Sequence, residues 1–281
     1  MSTLVPTMFA GLVDDASMLP PGFASLAEAV ARHSEHRKAW FAGLLGPLLV
    51  PVSAFATAQP APDLPVALIG DVPVGAVPVE VEKLRAAGAV VLHVEVAVAR
   101  RGEDPQPGLA ELRTLTGHDE NLMVYAEIPL SWGLLTALDT VAEERARGRR
   151  MAPKFRVGGL AAELFPTPVE LAAVICACRD RELPFRLASG LRHALRHTDP
   201  ETGFTHHGFL NVLAAAAVAQ RGGEVAEVAE LLAATHPIPL VESVRGHRDQ
   251  TRPLFAGFGV ASVVEPLTEL VRLGLINGGY Q

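Results

Sequence analysis

The sequence predicts an α/β fold, a single (β/α)8 barrel of the TIM type, with an elaborated helical segment between strands seven and eight. Apolar, strand-like runs begin near Val5, Leu49, Val66, Val90, Leu122, Pro153 and Pro184. The last four starts are 32, 31 and 31 residues apart, room for one strand, one helix and two short loops. Alternating strands and helices build a parallel sheet, and an eighth strand closes it. Pro253–Gly259 is the best eighth strand because a final helix follows it. Ile238–Val244 competes for that place, or belongs to an inserted hairpin.

Taken in order, the helices carry their own boundaries. Ser25-Leu26-Ala27-Glu28 reads as a capping box, in which the serine and glutamate satisfy each other's orphan backbone donors. The spacing from the second to the third strand is only 17 residues, too short for a normal second helix. Pro78 opens a short helix that Gly88 closes. Thr167-Pro168-Val169-Glu170 is a second capping box, with proline at the tolerated first helical position. Two apolar helices, Phe209–Gln220 and Glu224–Ala234, fill the segment before the eighth strand. Glu265-Pro266 opens the last helix and Gly274 stops it. No linker or low-complexity tract divides residues 1–281, so one domain is expected.

Composition narrows the class. The 281 residues hold 24 Lys+Arg against 31 Asp+Glu, a formal charge of −7, with 5% aromatics. That balance argues against a nucleic-acid partner, which favours a basic face. A chain that is 49% hydrophobic and 20% charged builds a packed core rather than staying disordered. Residues 40–62 carry no charge, but Gly43, Gly46, Pro47, Pro51 and Pro60 interrupt them, so a helix end and a buried strand are expected there, not a membrane span. No basic residue precedes Arg32, so a secretory signal is not expected and the cytoplasm is the expected compartment. Cys176 and Cys178 point to different sides of one helix and make no internal disulfide. A homo-oligomer is compatible with the sequence.

Alternation along a barrel strand sends one set of side chains to the axis and the other to the helices, and the helix-facing set must be apolar. In the fourth strand Val90, Leu92, Val94 and Val96 form the outward set, leaving Val91, His93 and Glu95 inside. The same phasing puts Met123, Tyr125 and Glu127 inside in the fifth, Lys154 and Arg156 in the sixth, and Arg186 in the seventh. Charge in a barrel interior is expensive unless paired, so this set is either an ion-pair network or a site at the C-terminal strand ends.

Lysine usage adds a clue. The chain has 21 arginines and three lysines; Lys38 and Lys83 fall on amphipathic helices, and only Lys154 falls on a strand. Arginine cannot lose its proton or form an imine, whereas lysine can. Arg156, two residues on, and Arg186 would lower the amine's pKa, while Glu95 and Glu127 push it the other way, so the sign depends on which pair lies closer.

Loop residues complete the candidates. Asp14 and Asp15 follow the first strand in LVDDASMLPPG, and Asp71 ends the third. The turns Gly158-Gly159, Ser189-Gly190 and Gly257–Gly259 offer backbone N–H groups to an anion. Residues 189–211 hold four of the ten histidines, with His193 and His197 on one face if helical and His206-His207 before a helix. No HExxH motif is present and no metal is assigned.

Lys154-Phe155-Arg156-Val157-Gly158-Gly159 and Phe185-Arg186-Leu187-Ala188-Ser189-Gly190-Leu191-Arg192 together resemble the strand-six to strand-seven region of deoxyribose-phosphate aldolase and related class I aldolases. The resemblance is confined to residues 154–192. It implies a Schiff base on Lys154, with Arg186 where that family carries a second lysine; arginine supplies the charge but not a proton relay. The expected protein is then a barrel enzyme, a lyase of the class I aldolase kind, acting on a small carbonyl-bearing anion without a cofactor. Lys154, Glu127 and Glu95 are the candidate catalytic residues. Arg156, Arg186, His93, Asp14, Asp71, Ser189, Gly190, His193 and His207 are the candidate substrate contacts. Two alternatives stand beside it: a metal-assisted hydrolase or isomerase using His93, the histidine segment and the loop aspartates, and a non-catalytic ligand-binding barrel.

Overall fold

A computed structural model of the chain describes residues 5–56 and 62–278. Eight parallel strands close a barrel: β1 Val13–Asp15, β2 Leu45–Pro51, β3 Pro65–Ile69, β4 Val90–Ala97, β5 Met123–Glu127, β6 Met151–Arg156, β7 Phe185–Ala188 and β10 Phe255–Val260. The ring runs in that order and shuts where β10 pairs with β1, Phe258 opposite Val13. The eighth strand is therefore the stretch around Pro253–Gly259, and its competitor is helix, α8 Pro237–Arg245.

The remaining helices follow the strand–helix rhythm: α1 Leu26–His36, α2 Val77–Ala86, α3 Gln106–His118, α4 Leu134–Ala146, α5 Pro168–Asp180 and α9 Val264–Arg272. Both capping boxes form, Ser25 with Glu28 and Thr167 with Glu170. Between β2 and β3 the described residues hold only the 3-10 turn Val52–Ala56, as the short spacing requires. Pro60 lies outside the described residues, and no described helix is long and apolar enough to cross a membrane.

The elaborated segment contains a short hairpin, β8 His197–Thr198 and β9 Thr205–His206, then α6 Phe209–Gln220 and α7 Val225–Ala233, followed by α8. Helix α6 is apolar nearly all round, and nine of its residues are buried. Such a helix needs cover on every side. The barrel wall, where Phe258 stacks on Phe209 at 5.4 Å, and the neighbouring α7 and α8 supply it. Phe155 of β6, Phe185 of β7 and Phe255 of β10 form a run of ring contacts at 6.2 and 5.4 Å.

The structure corrects the sequence reading in two places. The first strand is Val13–Asp15, not a run from Val5; Thr7–Phe9 is a 3-10 turn whose Met8 and Phe9 are buried. Asp14 and Asp15 are thus strand residues rather than loop residues. Val90 and Leu92 face outward but are 44% and 46% exposed, because the strand's burial begins only at His93. Cys176 and Cys178 form no disulfide, as expected, and both are buried on α5.

At the N-terminal end of the barrel, Arg252 donates to four carbonyls, those of Met8, Ala10, Phe255 and Ala256. Burial and the neighbouring Arg186 push its guanidinium down to about 10.

Candidate active site

The inward set assembles as phased. On β4, β5, β6 and β7 the register aligns Glu95 with Tyr125, Glu127 with Lys154, and Lys154 with Arg186. Lys154 lies between two carboxylates, 2.7 Å from Glu95 Oε2 and 2.8 Å from Glu127 Oε2. Glu95 also meets His93 Nε2 at 3.2 Å and Arg186 Nε at 3.5 Å. Arg186 pairs with Asp14 and sits 5.3 Å over the Tyr125 ring, a cation–π contact. Tyr125 in turn meets His93 edge-on at 5.0 Å. Glu127 bridges outward to Arg156 at 3.0 Å, and Arg156 Nη1 donates to Ser189 Oγ at 3.0 Å.

Three carboxylates thus face three cations, with His93 among them. Such balance is what a buried polar network needs, since each uncompensated charge costs several kcal/mol. Burial pushes the Glu95 carboxyl up, but Lys154, His93 and Arg186 outweigh it and hold it far below the usual carboxylate range. Glu127 is held low in the same way, by Lys154 and Arg156 against burial. At Asp14 burial wins over Arg186 and His93, and the carboxyl is raised.

At Lys154 the electrostatics decide between two opposed expectations. Burial pushes its amine down, yet Glu95 and Glu127 together outweigh burial and raise it. The expected depression by Arg156 and Arg186 is absent because those guanidiniums pair with Glu127 and with Asp14 and Glu95 instead. The resting site holds an ammonium.

Glycines make the approach possible. Gly46 on β2 faces Asp14 so closely that a Cβ there would lie 1.9 Å from Oδ1. Gly158 and Gly190 bring the turns after β6 and β7 into backbone contact, where a Cβ on Gly158 would lie 2.9 Å from Gly190 Cα. Ser189, which anchors Arg156, takes a left-handed φ of 62°, strain of the kind that gathers at functional sites.

Several candidates fall elsewhere. Asp14 enters the network from inside β1, not from a mouth loop. Asp71, just after β3, is exposed and accepts the backbone N–H and hydroxyl of Ser53, just after β2, so it ties together the loops at those two strand ends instead of joining the network. His193 pairs with Glu269 of α9 at 2.8 Å. His207 is buried and bonded to the Pro166 carbonyl at 2.8 Å; burial pushes it down to about 4, so it stays neutral. His197 stacks on His206. None of the four pairs with Lys154: His193 turns to Glu269 of α9, and His206 and His207 turn to Phe165 and Pro166 of the loop after β6.

That segment is locked by residues the sequence reading passed over. Asn211 is fully buried, accepts Arg196 N–H and donates to the Leu231 and Ala234 carbonyls. A Cβ at Gly208 would lie 2.1 Å from the Ala194 carbonyl. The residues HHGFLN therefore hold a loop in place. Arg252 was the other omission. An isolated arginine in a turn carries no periodic signal, and only the closed barrel reveals its four acceptors.

No protein-family model matches this chain, and no curated protein matches it.

Proposed function

We propose that this chain is a barrel enzyme acting on a small carbonyl-bearing anion, a carboxylate or a phosphate ester, by chemistry of the Schiff-base lyase kind at Lys154. The observation that carries the reading is the Lys154–Glu127–Arg156 chain: a buried amine, a carboxylate bridging to it, and a half-exposed guanidinium at the C-terminal strand ends, where barrel sites lie. Arg156 Nε and Nη2 both donate to Glu127 Oε1 and Nη1 donates to Ser189, so the anion takes the second N–H that each of Nη1 and Nη2 still has to offer. The resemblance of residues 154–192 to class I aldolases points the same way.

The raised amine sets the order of events. Lys154 first passes one proton to Glu127 across 2.8 Å, leaving a neutral amine beside a neutral acid. The nitrogen lone pair then forms the C–N bond to the carbonyl carbon. The carbonyl oxygen takes one amine proton and the Glu127 proton and leaves as water, so the product is a protonated imine facing a restored carboxylate. The iminium keeps the positive charge that Glu95 and Glu127 are built to hold. Borohydride reduction in the presence of short oxo acids and aldehyde phosphates tests this. A mass increment on the Lys154 peptide, lost in Lys154→Arg, is the expected result; an adduct that persists in Lys154→Arg removes Lys154 as the nucleophile.

One observation favours a second reading. Asp14, His93 and Glu95 each offer a ligand atom within 4.8 Å of the others, and Asp14 Oδ1 is buried without a hydrogen-bond partner. The set suits a divalent cation with N and O ligands. Arg186 opposes it, since its guanidinium already pairs with both carboxylates. Elemental analysis of the purified protein, with Glu95→Gln as control, separates the two: a stoichiometric metal lost in the variant would favour the metal.

A further inference from the structure

We infer that the substrate carries an apolar arm, and that a groove beside the barrel mouth receives it. The inference rests on the anion site proposed at Arg156. A cavity of about 280 Å³ at the mouth is lined by Glu127 and Arg156 together with Arg100, Arg101 and Glu163. It shares Arg101, Leu130 and Glu163 with a larger groove of about 610 Å³ that runs outward between the loops after β5 and β6. The two form one path that starts at the charged network and ends over the first turns of α4 and α5. Together their volumes fall in the range of small-molecule sites.

The path changes character along its length. Three arginines, Arg100, Arg101 and Arg156, line the inner end with Glu127 and Glu163, and Arg101 and Glu163 line the outer groove as well. The outer end is walled by Leu130, Trp132, Leu135, Phe165, Pro166 and Val174, with carboxylates only at Glu163 and Glu170. Glu170 is committed to capping α5. An anion with a hydrocarbon or aromatic tail matches this polarity. A wholly polar substrate would leave the outer wall without a partner.

The wall is also preformed. Trp132 is 63% exposed, yet its indole N–H already donates to the Gly102 carbonyl at 2.9 Å. Its ring is thus held out with no polar need left to meet. Arg101 fixes the same loop by donating to the Leu130 carbonyl at 2.9 Å, and Gly133 makes the turn into α4 with φ at 82°. Leu135, 57% exposed, lies one turn below. Single exposed apolar residues are ordinary, but a continuous apolar wall joined to a charged site marks a binding groove.

Calorimetric titration with straight-chain 2-oxo carboxylates of about three to ten carbons tests this, since each buried methylene is worth roughly twofold to fourfold in Kd. Affinity is expected to rise with chain length once the tail passes the mouth, then to level off. Trp132→Ser with Leu135→Ser should flatten that rise, with circular dichroism reporting the intact fold. Flat affinity across a series whose short members bind overturns the groove and leaves the anion site standing. A rise with plain carboxylates but no binding of oxo acids keeps the groove and removes the carbonyl reading. A rise unchanged in the double variant, or a dimer in the parent that the variant loses, assigns this wall to something other than substrate and overturns the inference.

Discussion

Asp14 and Asp15 are consecutive residues of β1, both buried, and the strand turns them to opposite sides. Asp14 faces the barrel axis, where Arg186 pairs with it and the charges of the network balance. Asp15 faces α1, where His33 Nδ1 stands 3.4 Å from Oδ2, within ion-pair range but outside hydrogen-bond alignment. Its other oxygen accepts the Ser17 N–H. Around it, Ser17 Oγ, both His33 nitrogens and His36 Nδ1 are also buried without partners. One side of the strand has a dense network of paired charges with a single orphaned oxygen, Asp14 Oδ1; the other has a loose cluster with five orphaned atoms. The lesson is that burial alone does not make a site. A network able to do chemistry needs several charges satisfied through one another, so that moving one proton is felt by the rest.

The contrast breaks most easily at its hub. Glu95→Ala leaves Lys154 and Arg186 buried with fewer counter-charges, and should cost about 3–5 kcal/mol by urea denaturation. A loss below about 1 kcal/mol would mean the inner network is no better coupled than the outer cluster.

Acid sharpens it next. Glu95 and Glu127 are held below their ordinary range, so the stability they give is complete above about pH 4.3 and is lost as pH falls. Asp14 is raised, so acid relieves rather than harms it. Melting temperature should therefore fall on acidification from pH 6 to about pH 3, and Glu127→Gln should make that fall shallower. At the alkaline end the raised Lys154 contributes stability that is lost as pH climbs past its ordinary value of about 10.4.

The outer cluster should respond less. Asp15→Asn keeps the Ser17 contact through its remaining oxygen and should cost about 1 kcal/mol. A penalty equal to that of Glu95→Ala would erase the difference between the two sides. Least of all, Lys83→Ala, which removes an exposed pair with Glu80, should leave the denaturation midpoint within error.

Much of this was legible beforehand, and for a physical reason. A barrel strand must be apolar on its helix side, so His93, Glu95, Glu127, Lys154, Arg156 and Arg186 could be phased inward from alternation alone. The eighth strand and both capping boxes followed from similar local rules. Pairing was not legible, because which carboxylate meets Lys154 depends on the stagger of neighbouring strands. That stagger gave both partners to the lysine and decided the direction of its pKa, which alternation left open. The first strand was misplaced because Met8, Phe9 and Leu12 are as apolar as a strand, yet they are buried in a 3-10 turn and the residues that lead into β1. The histidine segment misled because residue type signals chemistry while Asn211 and Gly208 signal only fit.

The four carbonyls gathered by Arg252 have a consequence for how this chain is made. They tie Met8 and Ala10 to residues 252–256, and β1 finds its second neighbour only in β10. During translation, β1 therefore waits with one edge open until Val260 has left the ribosome. An open strand edge is a template for pairing with other chains. The brevity of β1, three residues with two buried aspartates, makes that edge a poor template while it waits, so the charges that serve the finished barrel also guard the unfinished one.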